Sequence, residues 1–125
     1  MQGSHLLAEF FVCQGDDELL TDAEVLRKFC LDEVVASGLT IVGESFYQFE
    51  PQGATGAVVL AESHLAIHTW PEHRYVSLDI FVCNYTMDNT NKAISIYEAL
   101  KTAFQPKQDV FNTIARGEVP TEDAA

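Results

Sequence analysis

The chain has 125 residues, of which 47% are hydrophobic and 21% charged, and its formal net charge is −12. This length suits one domain, residues 1–125, built around one core. The acidic surplus argues against nucleic-acid binding, which depends on clustered Lys and Arg. The longest apolar runs, such as residues 57–61, are too short to span a membrane, and the N-terminus lacks a signal-peptide pattern. We therefore expect no nucleic-acid or membrane partner and a cytoplasmic location.

The first predicted elements are a strand and a helix. Residues 5–12 are rich in β-forming residues and end at a cluster of turn residues. Thr21 stands three residues before Glu24, which is the spacing of a capping box, so we expect a helix to begin there. Gly38 occupies the position at which helices commonly end.

The rest of the chain predicts further strands and one more helix. Asp88 or Asn89 can cap a helix over about residues 90–104, after which Pro106 prevents its continuation. The order of elements predicts an α+β fold, a two-layer αβ sandwich in which two helices cover one face of an antiparallel-dominated sheet. A turn is expected at residues 84–87 and an acidic tail at residues 118–125. The predicted strands are residues 39–49, 55–62, 65–69, 74–83 and 110–114.

Strand alternation predicts which side chains face away from the helices. Leu65 and Ile67 share the face expected to form the core, which leaves His68 on the opposite face. In the following strand the same alternation leaves Cys83 opposite the core. We expect these two ionisable groups to converge from neighbouring strands, and together they are a better candidate for a functional site than either group alone. A structural histidine and an inert thiol remain an equally good interpretation of this spacing.

The open face of the sheet also carries aromatic residues, and we expect it to pack against a second copy of the chain. The aromatic residues assigned to that face are Phe46, Tyr47, Phe49 and Phe81.

Two common kinds of site are disfavoured. His64 and His68 lie too far apart on a strand to share one metal ion, and no third Cys or His has ligand-like spacing nearby, so we expect no metal. The three cysteines have no CxxC spacing and indicate reduced thiols, with Cys13 and Cys30 as buried structural residues. Ser63 lacks the Gly-x-Ser-x-Gly turn of a serine hydrolase.

Residues 61–72 read Ala-Glu-Ser-His-Leu-Ala-Ile-His-Thr-Trp-Pro-Glu. This block closely resembles the self-cleavage and active-site segment of the bacterial, short-chain S-adenosylmethionine decarboxylases, and the resemblance extends over most of the chain to Cys83. It implies that Ser63 attacks the carbonyl of Glu62 and moves the acyl group from nitrogen to oxygen. Elimination from the resulting ester, with His68 as the proton acceptor, leads to a pyruvoyl group derived from Ser63. The chain would then consist of a β chain, residues 1–62, and an α chain, residues 63–125.

The resemblance also implies the reaction. The pyruvoyl ketone forms a Schiff base with the substrate amine and accepts the electrons released as CO2 departs. The substrate would be S-adenosylmethionine and the product S-adenosylmethioninamine, the aminopropyl donor for spermidine synthesis. Cys83 would protonate the resulting carbanion.

Substrate and processing contacts are assigned to four further positions. Phe49 would stack on the adenine and attract the sulfonium, and Trp70 would add to that wall. Packing in the core is an equally good interpretation of each of these aromatic residues. Glu72 would accept hydrogen bonds from the ribose hydroxyls. Thr55 would supply a hydroxyl that assists processing, at a position where the family often carries serine.

The resembled family is built from αβ sandwiches that dimerise with active sites near the interface, which implies a homodimer here. One alternative is a pyruvoyl-dependent arginine or ornithine decarboxylase, which would share Ser63, His68 and Cys83 and differ in its substrate pocket. The other is a regulatory paralogue that never cleaves. The intact Glu62–Ser63 pair, His68 and Cys83 favour an enzyme.

Overall fold

A computed structural model gives the architecture of the chain and describes residues 2–84 and 87–120. Those residues form six strands and three α-helices, with a 3₁₀ turn at Pro71–His73. The elements are β1 (Gly3–Cys13), α1 (Asp17–Thr21), α2 (Ala23–Ser37), β2 (Ile41–Gln48), β3 (Ala54–Leu60), β4 (Ser63–Trp70), β5 (Tyr75–Cys83), α3 (Thr90–Phe104) and β6 (Pro106–Arg116).

The strands form one sheet in the order β2-β3-β4-β5-β1-β6, and every neighbouring pair is antiparallel. The helices pack on one face of this sheet, so the predicted two-layer α+β sandwich is confirmed. β1 lies between β5 and β6, which makes the first strand of the chain a central strand. This placement brings residues 3–10 beside residues 76–83 of β5.

The start of α2 differs from the prediction by one residue. Asp22 is the N-cap, and its Oδ1 accepts hydrogen bonds from the backbone N–H groups of Glu24 at 2.9 Å and Val25 at 3.3 Å. Thr21 instead closes the short helix α1, where its hydroxyl donates to the Asp17 carbonyl. The predicted Thr21 cap is therefore wrong, because that hydroxyl is used within the preceding turn. The predicted end of the helix is confirmed, since Gly38 has a φ of 91°.

The core lies between the helices and one face of the sheet. Alternate residues of β4 and β5 point into it and are fully or almost fully buried, as strand alternation predicts. They pack with Leu26 of α2 and with Leu100 and Phe104 of α3. The buried β4 and β5 residues are Leu65, Ile67, Val76, Leu78, Ile80 and Val82.

The other face of the sheet, which we call the open face, is covered by no element among the described residues. Tyr47, Val59 and Trp70 lie on it and are 61%, 48% and 40% exposed. Phe46 does not lie there, because it alternates with Tyr47 and its ring covers Gly56 on the core side. The assignment of Phe46 to the open face is therefore wrong.

Two predicted features fall partly outside the described residues, namely the turn at residues 84–87 and the acidic tail at residues 118–125. Across residues 2–84 and 87–120, no helix combines the length and apolarity that crossing a membrane requires.

Candidate active site

Ser63 begins β4 directly after a tight turn. It pairs with Leu60 of β3 across a turn made of Ala61 and Glu62. The φ of Ser63 is 154°, a backbone conformation that non-glycine residues adopt at a cost of about 1–3 kcal/mol. The peptide bond between Glu62 and Ser63 therefore lies at a strained point of the backbone.

The carbonyl of Glu62 is held by a fixed donor. The backbone N–H of Cys83 donates to it with an N–O distance of 2.8 Å. The Glu62 side chain is also fixed, since its Oε1 accepts the N–H of Thr40 at 3.0 Å. A rigid donor on a carbonyl stabilises negative charge that develops on its oxygen during nucleophilic attack.

Ser63 and Cys83 share a shallow pocket of about 250 Å³ with Phe81 and Gly3. We call this region the serine end of the open face, defined by Ser63, Phe81 and Cys83. Cys83 is partly exposed there, because it is the last residue of β5 and lies on the open face.

The other two cysteines differ from Cys83 in their surroundings. Burial raises the pKa of Cys13 to about 11 and that of Cys30 to about 12. Both thiols therefore stay protonated and unreactive at neutral pH. Their predicted structural role is confirmed by this burial.

The remaining predicted residues collect at the opposite end of β4. His68 and Thr55 are direct partners across β3 and β4, and the Thr55 hydroxyl is hydrogen-bonded to His68 Nδ1. A pocket of about 430 Å³ lies beside them. We call this region the histidine end, defined by five residues that line the pocket: Phe49, Thr55, His68, Trp70 and Glu72.

The expected convergence of His68 and Cys83 is wrong within one chain. His68 pairs with Ser77 on β5, whereas Ser63 pairs with Val82, next to Cys83. His68 therefore lies five residues along β4 from Ser63, which corresponds to roughly 17 Å. Alternation identifies the face correctly but says nothing about position along the strand.

A cluster that the sequence did not predict lies beside the serine end. His5 of β1 and His64 of β4 both direct Nε2 at one oxygen of Asp79 on β5, at 2.9 and 3.0 Å. The side chains of His5, His64 and Asp79 are 17%, 39% and 27% exposed. Among the described residues, these three form the one group of ligand atoms close enough to hold a metal ion. The sequence prediction compared His64 only with His68, and β1 lies beside β5 through a pairing that no local pattern reveals.

His64 also contacts the predicted nucleophile. Its Nδ1 lies 3.5 Å from Ser63 Oγ. The Phe81 ring packs against both imidazoles, with centroid distances of 5.4 Å to His5 and 6.0 Å to His64.

Comparison with known proteins identifies relatives of this chain. The family model described as S-adenosylmethionine decarboxylase matches residues 4–117. The S-adenosylmethionine decarboxylase proenzyme of Thermotoga petrophila is 40% identical over 106 residues, covering 85% of this chain and 77% of that protein. The proenzyme of Caldicellulosiruptor saccharolyticus is 36% identical over 108 residues, covering 86% of each chain.

Solved structures agree with these relatives. The crystal structure of the adenosylmethionine decarboxylase from Aquifex aeolicus superposes with a TM-score of 0.83 at 34% identity, covering 96% of this chain and 94% of that one. The Trypanosoma brucei enzyme shares the fold, with a TM-score of 0.60 at 18% identity over 90% of this chain and 45% of that one. The family match and the identities confirm the resemblance seen in residues 61–72, and the chain belongs to the S-adenosylmethionine decarboxylase family.

Proposed function

We propose that this protein decarboxylates S-adenosylmethionine with a pyruvoyl group that it makes from Ser63. The proposal rests on the Glu62–Ser63 peptide bond of this chain, which belongs to the S-adenosylmethionine decarboxylase family. Its carbonyl accepts the Cys83 N–H, and its serine has a strained backbone. The Thermotoga petrophila relative is named a proenzyme, which supports a processing step. The residues present therefore fit a pyruvoyl group at position 63.

The first step of processing uses groups that lie together in one chain. Ser63 Oγ attacks the Glu62 carbonyl, and the Cys83 N–H stabilises the negative charge on its oxygen. Breaking the peptide bond also releases the backbone strain at Ser63. The product is an ester that still links residues 1–62 to residues 63–125.

The second step needs a base at the Ser63 Cα. His68 has this role in our proposal, yet in its own chain it lies roughly 17 Å away along β4. We therefore propose that His68 acts on Ser63 of a second copy of the chain. Thr55, hydrogen-bonded to His68, would orient the imidazole.

A symmetric homodimer provides this arrangement. In our proposal two open faces pack together about a two-fold axis that runs across the strands, which reverses the strand direction between the sheets. The serine end of each copy then lies against the histidine end of the other, and two identical sites result. The packing also covers exposed apolar side chains such as Tyr47, Val59 and Trp70.

The substrate pocket follows from the same arrangement. Phe49 and Trp70 offer aromatic surface for adenine and for the sulfonium cation, and Glu72 offers a carboxylate for the ribose. The net charge of −12 also attracts a cationic substrate.

A pyruvoyl group at residue 63 would supply a carbonyl electrophile that accepts electrons as CO2 leaves. Cys83, beside residue 63, would deliver a proton to the substrate Cα.

We also propose a cytoplasmic location, because the three cysteines of this small chain are unpaired. Because the chain belongs to the S-adenosylmethionine decarboxylase family, an arginine or ornithine decarboxylase is not favoured. A paralogue that never cleaves is not favoured either.

Mass spectrometry and a substrate comparison test the proposal. The purified protein should consist of two fragments, residues 1–62 and 63–125, and should release CO2 from carboxyl-labelled S-adenosylmethionine but not from labelled arginine or ornithine. Ser63→Ala should remain one inactive chain, and a cleaved Ser63→Ala protein would contradict the mechanism. His68→Ala should accumulate the ester, which hydroxylamine then cleaves.

A further inference from the structure

We propose that His64 is the base that activates the Ser63 hydroxyl for the acyl shift, and that Asp79 is the residue that positions it. The inference deepens the processing reaction proposed above and rests on it. His64 Nδ1 lies 3.5 Å from Ser63 Oγ, a loose contact of the kind that tightens as a reaction begins. Neighbouring side chains of a regular strand point to opposite faces, so this contact depends on the unusual backbone of Ser63.

The hydrogen bonds around Asp79 determine where the protons are. Arg116 can only donate, and its Nη1 lies 3.1 Å from His5 Nδ1, which must therefore be the unprotonated ring nitrogen. The proton of His5 is then on Nε2, which donates to Asp79 Oδ2 at 2.9 Å. The first half of the network thus makes Asp79 Oδ2 a hydrogen-bond acceptor.

The second half of the network prepares His64. Its Nε2 lies 3.0 Å from the same Asp79 oxygen and donates to it. A neutral imidazole carries one proton, so Nδ1 is left unprotonated and can accept from Ser63 Oγ. Asp79 therefore selects the tautomer in which His64 can act as a base.

The surroundings keep this arrangement in place. Phe81 packs against both imidazoles, which also contact each other edge to face with a centroid distance of 6.1 Å, and the Arg116 guanidinium lies 4.3 Å from the centre of the Phe81 ring. His5 is 17% exposed and Asp79 27%, so their hydrogen bonds compete with little solvent. All groups come from one chain, so the acyl shift does not need the second copy.

The proton transfers balance without a co-reactant. The Ser63 hydroxyl proton moves to His64 Nδ1 as Oγ bonds to the Glu62 carbonyl carbon, whose oxygen is held by the Cys83 N–H. The carbon–nitrogen bond then breaks, and His64 returns the proton to the Ser63 nitrogen. An ester and a free amine result, and His64 is neutral again. His68 remains the base of the later elimination.

The decisive experiment follows processing by mass spectrometry after cell-free synthesis of the full chain. His64→Gln should slow processing by about 100-fold or more, which is the usual contribution of a general base. Hydroxylamine should release almost no fragment from it, because very little ester forms, whereas it should cleave His68→Ala. His73→Ala is the matched control, since His73 lies in the 3₁₀ turn and should process normally.

Two further measurements separate chemistry from folding. Added imidazole should restore processing to His64→Ala, which a purely structural histidine would not allow. In the uncleaved Ser63→Ala protein, ¹⁵N NMR should find His64 Nδ1 unprotonated. Asp79→Asn on that background should move the proton to Nδ1, because an amide can donate to Nε2.

Three results would overturn the inference. Normal processing of His64→Gln would rule out His64 as the base of the acyl shift. The proposed function would still stand, provided that Ser63→Ala stays uncleaved. An Nδ1-protonated His64 in Ser63→Ala would contradict the proton arrangement. Loss of processing after EDTA treatment would indicate that His5, His64 and Asp79 bind a metal ion instead.

Discussion

The two ends of β4 carry different groups of the proposed site residues. The serine end holds the strained Ser63, the donor on the Glu62 carbonyl and the Cys83 thiol. The histidine end holds His68, Thr55 and the larger pocket. Roughly 17 Å of strand separates the two. A single chain therefore holds the proposed site residues in two separate places, and we propose that dimerisation brings them together into one site.

The separation of the two ends predicts that inactive variants can complement each other. Ser63→Ala and His68→Ala should each yield no processed chain alone. In a mixed dimer, one site combines the intact Ser63 of one copy with the intact His68 of the other. Co-expression with different affinity tags should therefore give processing of about half of the His68→Ala chains. Cleavage of none of them would place His68 and Ser63 of the same chain in one site.

A charge in the middle of the open face should separate the two copies. Ala57 lies on that face between the two ends, paired with Ala66 of β4. Ala57→Arg should shift the protein to a monomer in analytical ultracentrifugation and reduce processing by more than tenfold, because a buried unpaired charge is costly. Ala36→Arg, on the exposed surface of α2, is the control and should remain dimeric and processed. A processed Ala57→Arg monomer would contradict the composite site.

Local patterns in the sequence predict much of this fold. Alternation in residues 64–68 and 76–83 assigns each side chain to the correct face, and Gly38 ends α2 where expected. These features depend on near neighbours in the chain. The Thr21 cap was wrong because the neighbouring Asp22 caps α2 instead. The placement of Phe46 was wrong because Phe46 and Tyr47 are adjacent in β2 and therefore point to opposite faces of the sheet.

The site was less predictable than the fold. The Glu62–Ser63 turn is recognisable from its motif, but the distance from Ser63 to His68 depends on strand pairing, which alternation does not encode. The Asp79 cluster depends on His5, which lies 74 residues earlier in the chain and reaches Asp79 because β1 inserts between β5 and β6. Contacts between distant strands are a property of the whole sheet.

At the serine end, the thiol and the backbone of Cys83 should have separable effects. Cys83→Ser keeps the backbone N–H that holds the Glu62 carbonyl, so the chain should still cleave. Turnover should fall by about 100-fold, since an alcohol is a much weaker acid than a thiol. Protonation at the wrong carbon should leave alanine at the start of the α fragment, which mass spectrometry detects as activity declines. Full and lasting activity of the Cys83→Ser protein would rule out Cys83 as the proton donor. Cys13→Ala is the control.

The smallest effect is expected at the histidine end, where Thr55 contacts His68 Nδ1. Thr55→Val keeps the shape of the side chain but removes the hydroxyl, so His68 loses an orienting hydrogen bond. We expect elimination to slow by about tenfold, less than the roughly 100-fold lost when a group that acts directly on the reacting atoms is removed, because Thr55 acts only through His68. The hydroxylamine-sensitive ester should accumulate. Thr55→Ser retains the hydroxyl and should process at the normal rate. Equal rates for Thr55→Val and Thr55→Ser, with equal unfolding temperatures, would mean that the hydroxyl does not assist. A slow step before ester formation would instead assign Thr55 to the acyl shift, which we attribute to the serine end alone.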